Sequence, residues 1–211
     1  MQIGDMKRTL HVDSYLRRGP KIVITTDASP YGIGGIISVD GMITGYFSDK
    51  VTDPDRRILS LAPGCSSKNQ QVLEALCMLV ALRIWSEFWL KGRVMLTVRS
   101  DNLSTLALVA KMQPHSPQMG IIAREVALDV AVASYAPDIV EHLPGVANTV
   151  SDSLSRLHTP DKSYSVPDCL RDVVQESVPI RAEGWYKALS AALEWPAGTI
   201  SNPSSVSKVQ Y

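Results

Sequence analysis

Four acidic residues, each next to a different predicted element, constrain the fold of this chain more than any other feature. Asp27 ends a β-branched run, Glu74 lies within a helical pattern, and Asp101 ends a second strand-like run. Asp152 follows near the start of a last helix, beyond a Pro-Gly pair. Because these carboxylates come from separate elements, we expect them to be the scattered parts of one site, which the fold must bring together.

The first part of the chain has the pattern of an antiparallel meander. A β-branched run covers residues 21–26, turn residues follow it, and a second apolar run covers 33–39. The Asp40-Gly41 pair then leads into a third run at 42–47, and such a pair between two strand-like runs is a strong hairpin signal. The pattern predicts three antiparallel strands.

Helical and strand-like patterns alternate in the central part of the chain. The predicted elements are a helix at 73–88 that Gly92 ends, a strand at 94–98, helices at 103–112 and 119–135, and a strand at 139–142. Antiparallel strands followed by parallel αβ units predict an α/β domain. We expect a mixed five-stranded sheet, three strands antiparallel and then two parallel, with helices on both faces.

Composition favours a globular protein in a reducing compartment. The 211 residues are 45% hydrophobic and 20% charged, which is enough to bury a core, and the longest apolar stretch contains too many charges to span a membrane. Three cysteines without Cys-x-x-Cys spacing support neither a disulfide framework nor a zinc site, so we expect an intracellular protein, cytoplasmic or nuclear. Zero net charge argues against strong non-specific binding to nucleic acid.

From about residue 21 to residue 157, this order of elements and the residues around the four acids resemble the RNase H domain of retroelement reverse transcriptases. The matching residues are Thr26-Asp27-Ala28-Ser29 at the first strand, Glu74 in the first helix, Ser100-Asp101-Asn102 at the fourth strand, and Pro144-Gly145, Asn148 and Asp152-Ser153-Leu154-Ser155-Arg156 near the last helix. A histidine, His142, precedes the Pro-Gly pair, and in this feature the sequence is most similar to DIRS-type elements. The resemblance implies an RNase H-like fold.

The resemblance also implies an activity, the hydrolysis of the RNA strand of RNA/DNA hybrids during reverse transcription, which leaves 5′-phosphate and 3′-hydroxyl ends. Mg²⁺ prefers oxygen ligands, and a pair of Mg²⁺ ions, for which Mn²⁺ can substitute, can activate a water and stabilise the leaving oxygen. Asp27 and Asp152 would contact metal most directly, with Glu74 on the leaving-group side and Asp101 bridging or helping to position the nucleophilic water. His142 would move a proton near neutral pH, or would simply end its strand.

Three of the four carboxylates also have a purely structural explanation. Asp27 could form an Asx turn, Asp101 could cap the following helix, and Asp152 could be a first-turn acid facing the helix dipole. Glu74 is harder to explain in this way, because it adjoins the apolar side of its helix, where a lone carboxylate would be desolvated. A metal ion would supply the missing partner, and the coincidence of all four positions favours a metal site.

Several polar residues are candidates for binding the hybrid. Gln70 and Gln71 share a helix side with Glu74 and could reach a minor groove, where donors and acceptors read 2′-hydroxyls. Asn102 and Ser29 are further candidates, and for all of them capping or a solvated surface is the alternative. The segment at 111–118 has one lysine and no room for a basic protrusion, so we expect weak binding unless a fused or adjacent reverse transcriptase domain holds the duplex.

The chain is expected to have three parts. Residues 1–20 are predicted to be a connector, 21–158 the catalytic domain, and 159–211 an extension with short helices at 170–178 and 185–195 and a flexible end. Two other functions stay open: an RNase H-like scaffold that has lost hydrolysis, and a DNA-acting nuclease or integrase of the same superfamily.

Overall fold

A mixed sheet of six strands forms the centre of the structure. The computed structural model describes residues 19–61, 67–90, 94–133 and 139–187. The strands are β1 (Lys21–Ala28), β2 (Gly32–Val39), β3 (Met42–Lys50), β4 (Met95–Ser100), β5 (Ile139–His142) and β6 (Val174–Gln175), in the spatial order β5-β4-β1-β2-β3-β6. Strands β1 to β3 are antiparallel, whereas β4 and β5 are parallel to β1. The predicted arrangement is confirmed, with β6 as an additional strand.

The predicted hairpin connects β2 and β3. Val39 pairs with Met42, so the connection consists of Asp40 and Gly41 alone. Both residues have positive φ angles, 50° and 90°, as two-residue hairpin turns that match the twist of their strands require. The Asp40 carboxylate also accepts a hydrogen bond from the backbone N–H of Lys21, which fixes the turn against the start of β1.

The helices of the described chain are α1 (Asp53–Ile58), α2 (Ser67–Ile84), α3 (Glu87–Leu90), α4 (Leu103–Lys111), α5 (Pro117–Ala133) and α6 (Thr149–Arg156). The single helix expected at 73–88 is therefore wrong, since α2 and α3 are separate. At the break, the N–H of Ser86 bonds to the carbonyl of Arg83, which tightens the last turn, while the indole of Trp85 packs against Phe47 with ring centroids 5.5 Å apart.

Helices cover both faces of the sheet, as expected. Neighbouring residues on a strand point to opposite faces. Ile37 and Phe47 belong to the main core together with the apolar side of α2, whereas Ile36 and Tyr46 pack with Leu154 of α6. Helices α2 and α6 therefore enclose the sheet from opposite sides.

Two glycines of β2 allow α6 to approach the sheet closely. A Cβ atom at Gly34 would lie 2.5 Å from Leu154 Cβ, and one at Gly32 would lie 2.5 Å from the carbonyl oxygen of Ser155. Any larger residue would push α6 outward. The sequence around these glycines thus positions the helix that carries Asp152 and Ser155 beside the end of β1.

The helix expected at 170–178 is wrong. This part of the chain contains a 3₁₀ turn at Asp168–Leu170 and the short strand β6. The reason is tertiary, because the edge of β3 offers unpaired backbone groups, and the N–H of Glu176 donates to the carbonyl of Tyr46 there. Pairing with a distant edge strand outweighs local helical propensity.

The chain after β6 is fixed to the domain by a buried ion cluster. The side chain of Arg181 is fully buried and donates to Asp55 at 3.0 Å and to Asp49 at 2.7 Å. It also donates to the carbonyl of Lys50, and the hydroxyl of Tyr186 donates to Asp55 at 3.0 Å. Buried charges of this kind are tolerated only when they are paired.

Some predictions fall on residues outside the described ranges. These are the connector up to residue 18, the helix stop at Gly92, and the end of the chain from residue 188. Of the helix expected at 185–195, Trp185 lies in a 3₁₀ turn at Glu183–Trp185, Tyr186 is extended and Lys187 is helical, while the rest lies outside the described residues. Within the described ranges, no helix combines the length and apolar character needed to cross a bilayer.

Candidate metal centre

Three of the four predicted carboxylates meet at the C-terminal ends of the neighbouring strands β1 and β4. Because Thr25 of β1 pairs with Arg99 of the parallel strand β4, Asp27 and Asp101 reach the same edge next to each other. Glu74 comes from α2, which packs on β1. One carboxylate oxygen from each of the three residues lies within 4.8 Å of the others. Such a set of oxygens suits a hard divalent cation.

The pKa values of Asp27 and Glu74 are strongly raised. Burial, followed by repulsion from Asp152 and Asp101, raises the pKa of Asp27 to about 7, although a hydrogen bond from Ser155 opposes the change. Burial and then the charges of Asp27 and Asp101 raise the pKa of Glu74 well above its usual range. Carboxylates that are crowded and desolvated hold a proton or need a cation.

Two side chains near or within α6 hold Asp27. Ser155 Oγ donates to Asp27 Oδ2 at 2.6 Å, and Asn148 Nδ2 lies 3.4 Å from Asp27 Oδ1 and donates to the carbonyl of Thr26 at 3.1 Å. Sequence reasoning missed the role of Ser155. The signal was present in its spacing, because a residue three positions after Asp152 on a helix shares its side.

Among the described residues, Glu74 forms hydrogen bonds through only one of its carboxylate oxygens. Oε1 accepts a hydrogen bond from the N–H of Ala28 at 3.2 Å and another from Gln70 Nε2 at 2.9 Å. Oε2 is buried and has no hydrogen-bond partner among the described residues. A buried charged oxygen without a donor is costly, so the free oxygen fits a role as a metal ligand. The site therefore fits Mg²⁺ or Mn²⁺ by its chemistry.

Asp152 lies beside this cluster rather than in it. Its carboxylate pairs with Arg156 one turn later in α6 at 2.7 Å, and its side chain is 39% exposed. It is still near enough to Asp27 for its charge to contribute to the raised pKa there. The structure thus places Asp152 at the rim, and its contact with metal stays a prediction.

His142 lies at the end of β5 next to Asp101. Its Nε2 is 3.1 Å from the backbone carbonyl of Asp101, and the ring is exposed. Because a carbonyl only accepts, Nε2 is the donor, which leaves Nδ1 of a neutral ring free to accept a proton. The position is compatible with proton transfer at the site, which stays a prediction.

The residues predicted to bind substrate have different surroundings. Ser29 is buried, and its hydroxyl donates to the carbonyl of Ser155 at 2.7 Å. Asn102 caps α4 by accepting a hydrogen bond from the N–H of Thr105 at 3.0 Å. Gln70 contacts Glu74, whereas Gln71 is half-buried on the same helix. Ser29, Asn102 and Gln70 thus have roles inside the protein, and substrate binding by all four residues remains a prediction.

Comparison with known proteins finds similarity among solved structures only. No protein-family model matches the chain, and no curated protein does. The crystal structure of LC11-RNase H1 in complex with RNA/DNA hybrid is 20% identical over 64% of this chain and 93% of that one, with a TM-score of 0.49. RNase H1 from the halophilic archaeon Halobacterium salinarum NRC-1 is 14% identical over 68% of this chain and 98% of its own, with a TM-score of 0.47. The foamy viral protease-reverse transcriptase in complex with RNA/DNA hybrid is 10% identical over 75% of this chain and 22% of its own, with a TM-score of 0.35.

Proposed function

We propose that this domain is a metal-dependent endoribonuclease that hydrolyses the RNA strand of RNA/DNA hybrids and leaves 5′-phosphate and 3′-hydroxyl ends. The observation that carries the proposal is the convergence of Asp27, Glu74 and Asp101, whose oxygens lie within 4.8 Å of one another. The buried and unpartnered Oε2 of Glu74 supports it, because a structural carboxylate would be expected to have donors on both oxygens.

The cofactor in this proposal is a pair of Mg²⁺ ions, for which Mn²⁺ would substitute. When bound, the ions would polarise the phosphate and lower the pKa of a coordinated water. Asp27, Glu74 and Asp101 would hold them, and Asp152 would join after leaving Arg156. Breaking the ion pair between Asp152 and Arg156 costs little free energy, since an exposed pair of this type contributes roughly 0–1 kcal/mol.

Proton transfer and substrate binding in this proposal would involve residues beside the metal ligands. His142 would receive or deliver a proton through Nδ1 while Nε2 stays on the Asp101 carbonyl. Gln71 would face the minor groove of the hybrid. Because the formal net charge is zero, a reverse transcriptase domain of a retroelement, fused or adjacent, would hold most of the duplex.

One observation favours a second candidate, a scaffold of the same fold without hydrolysis. The pairing of Asp152 with Arg156 removes one expected ligand from the cluster. Retention of Asp27, Glu74 and Asp101 together weighs against this candidate, because the buried carboxyls of Asp27 and Glu74, whose pKa values are raised, destabilise a domain that does not use them.

Cleavage assays on three labelled substrates test the proposal. RNA/DNA hybrid, duplex DNA and single-stranded RNA would be incubated with the protein at low salt with Mg²⁺, Mn²⁺ or EDTA. We expect cleavage of the hybrid alone. Asp27→Asn should lose this cleavage, whereas Asp168→Asn, which changes an exposed acid outside the carboxylate cluster, should keep full activity. A folded protein that leaves the hybrid intact would favour the scaffold, and cleavage of duplex DNA would favour a DNA nuclease.

A further inference from the structure

The side-chain amide of Gln70 forms a closed set of hydrogen bonds with Glu74 and the end of β1. Its Nε2 donates to Glu74 Oε1 at 2.9 Å and also to the carbonyl of Ala28. The N–H of Ala28 in turn donates to Glu74 Oε1 at 3.2 Å. The carbonyl of Ala28 can only accept, so the nitrogen of the Gln70 amide, and not its oxygen, faces this pair of acceptors.

This arrangement determines which oxygen of Glu74 is free. Two donors are directed at Oε1, whereas Oε2 has none among the described residues. A glutamate side chain has three rotatable bonds, and these contacts restrict the last of them. The Gln70 amide and the Ala28 N–H together hold the Glu74 carboxylate through Oε1, so that Oε2 remains available to bind a metal ion.

The same contacts limit what Gln70 can offer to a substrate. Both N–H groups of its amide are used inside the protein, so only its amide oxygen remains to accept from a 2′-hydroxyl. Gln71, the next residue, is half-buried and stays the better candidate for the minor groove. Two neighbouring glutamines on one helix thus have different tasks.

We propose that Gln70 is a positioning residue that orients Glu74 for metal binding, an inference that rests on the proposed function. Its loss should weaken the affinity for Mg²⁺ and leave the affinity for the hybrid unchanged. One hydrogen bond to a charged group corresponds to about a tenfold change in a binding constant.

The test separates metal binding from substrate binding. Mg²⁺ affinity would be measured by calorimetry without substrate, and kcat and KM on the hybrid at saturating Mg²⁺. For Gln70→Met, which keeps the length but removes the donors, we expect about tenfold weaker Mg²⁺ binding and an unchanged KM. Gln71→Met should raise KM and keep the Mg²⁺ affinity, and Gln113→Met, at an exposed loop position, should change neither. If Gln70→Met does not fold, Gln70→Asn replaces it, because the shorter amide cannot reach Glu74.

The outcomes distinguish this inference from the proposed function. If Gln70→Met binds Mg²⁺ like the wild type, or raises KM with intact Mg²⁺ affinity, the positioning role is refuted. If the wild type and Asp27→Asn bind Mg²⁺ equally, or the wild type does not cleave the hybrid, the proposed function itself fails.

Discussion

Replacing Asp27 by asparagine should stabilise the metal-free domain at alkaline pH while it abolishes activity. The pKa of Asp27 is raised from 3.8 to about 7, mainly by burial, and a difference of this size corresponds to about 4 kcal/mol. Because the folded state holds the Asp27 proton more tightly than the unfolded state does, the contribution of Asp27 to stability is fully present below pH 3.8 and is lost as the pH rises through about 7. Asparagine avoids this ionisation, but its amide has one acceptor oxygen where the carboxylate has two, so it can accept from Ser155 or from Asn148 and not from both, which costs about 1 kcal/mol.

The expected net gain for Asp27→Asn is about 1–3 kcal/mol at pH 8. Urea unfolding in EDTA at pH 5 and pH 8 measures it, with Asp168→Asn as a control that should follow the wild type. The wild type should lose stability between the two pH values, and the variant should lose less. Added Mg²⁺ should restore the stability of the wild type at pH 8 and have little effect on the stability of the variant. A variant less stable than the wild type at pH 8 would refute the reasoning.

Three further predictions follow from the contacts. Ser155→Ala removes the 2.6 Å hydrogen bond to Asp27, so kcat on the hybrid should fall about tenfold in a protein that still unfolds cooperatively. Arg181→Met leaves the buried carboxylate of Asp55 without its cation, and urea unfolding should show a loss of about 3–5 kcal/mol. His142→Ala should slow turnover and leave Mg²⁺ binding unchanged by calorimetry, because the imidazole contacts the Asp101 carbonyl and not its carboxylate. Unchanged values in the first two variants, or loss of Mg²⁺ binding in the third, would contradict these expectations.

Local patterns in the sequence predicted the central sheet. The Asp40-Gly41 pair specified its hairpin because only a few residues tolerate two successive positive φ angles. The short strand β6 could not be predicted in this way, since it exists through pairing with β3, more than a hundred residues earlier. The buried position of Arg181 is likewise set by Asp55 and Asp49, which are remote in sequence.

In the candidate site too, local patterns predicted some features, whereas residues distant in the sequence determine others. Strand ends and one helix face were enough to bring Asp27, Glu74 and Asp101 together. The orientation of each side chain depended on partners that spacing alone does not reveal. Gln70 has the spacing of a substrate contact, but the carbonyl of Ala28 holds its amide inward. Asp152 has the spacing of a ligand, but an arginine one turn later competes for its carboxylate.

Anomalous diffraction from crystals soaked in Mn²⁺ tests most directly whether the acidic cluster binds divalent metal. We predict at least one Mn²⁺ coordinated by oxygens of Asp27, Glu74 and Asp101, with Glu74 Oε2 among its ligands, and no such peak in Asp27→Asn. Well-ordered crystals of the wild type without Mn²⁺ between these three carboxylates would contradict the account.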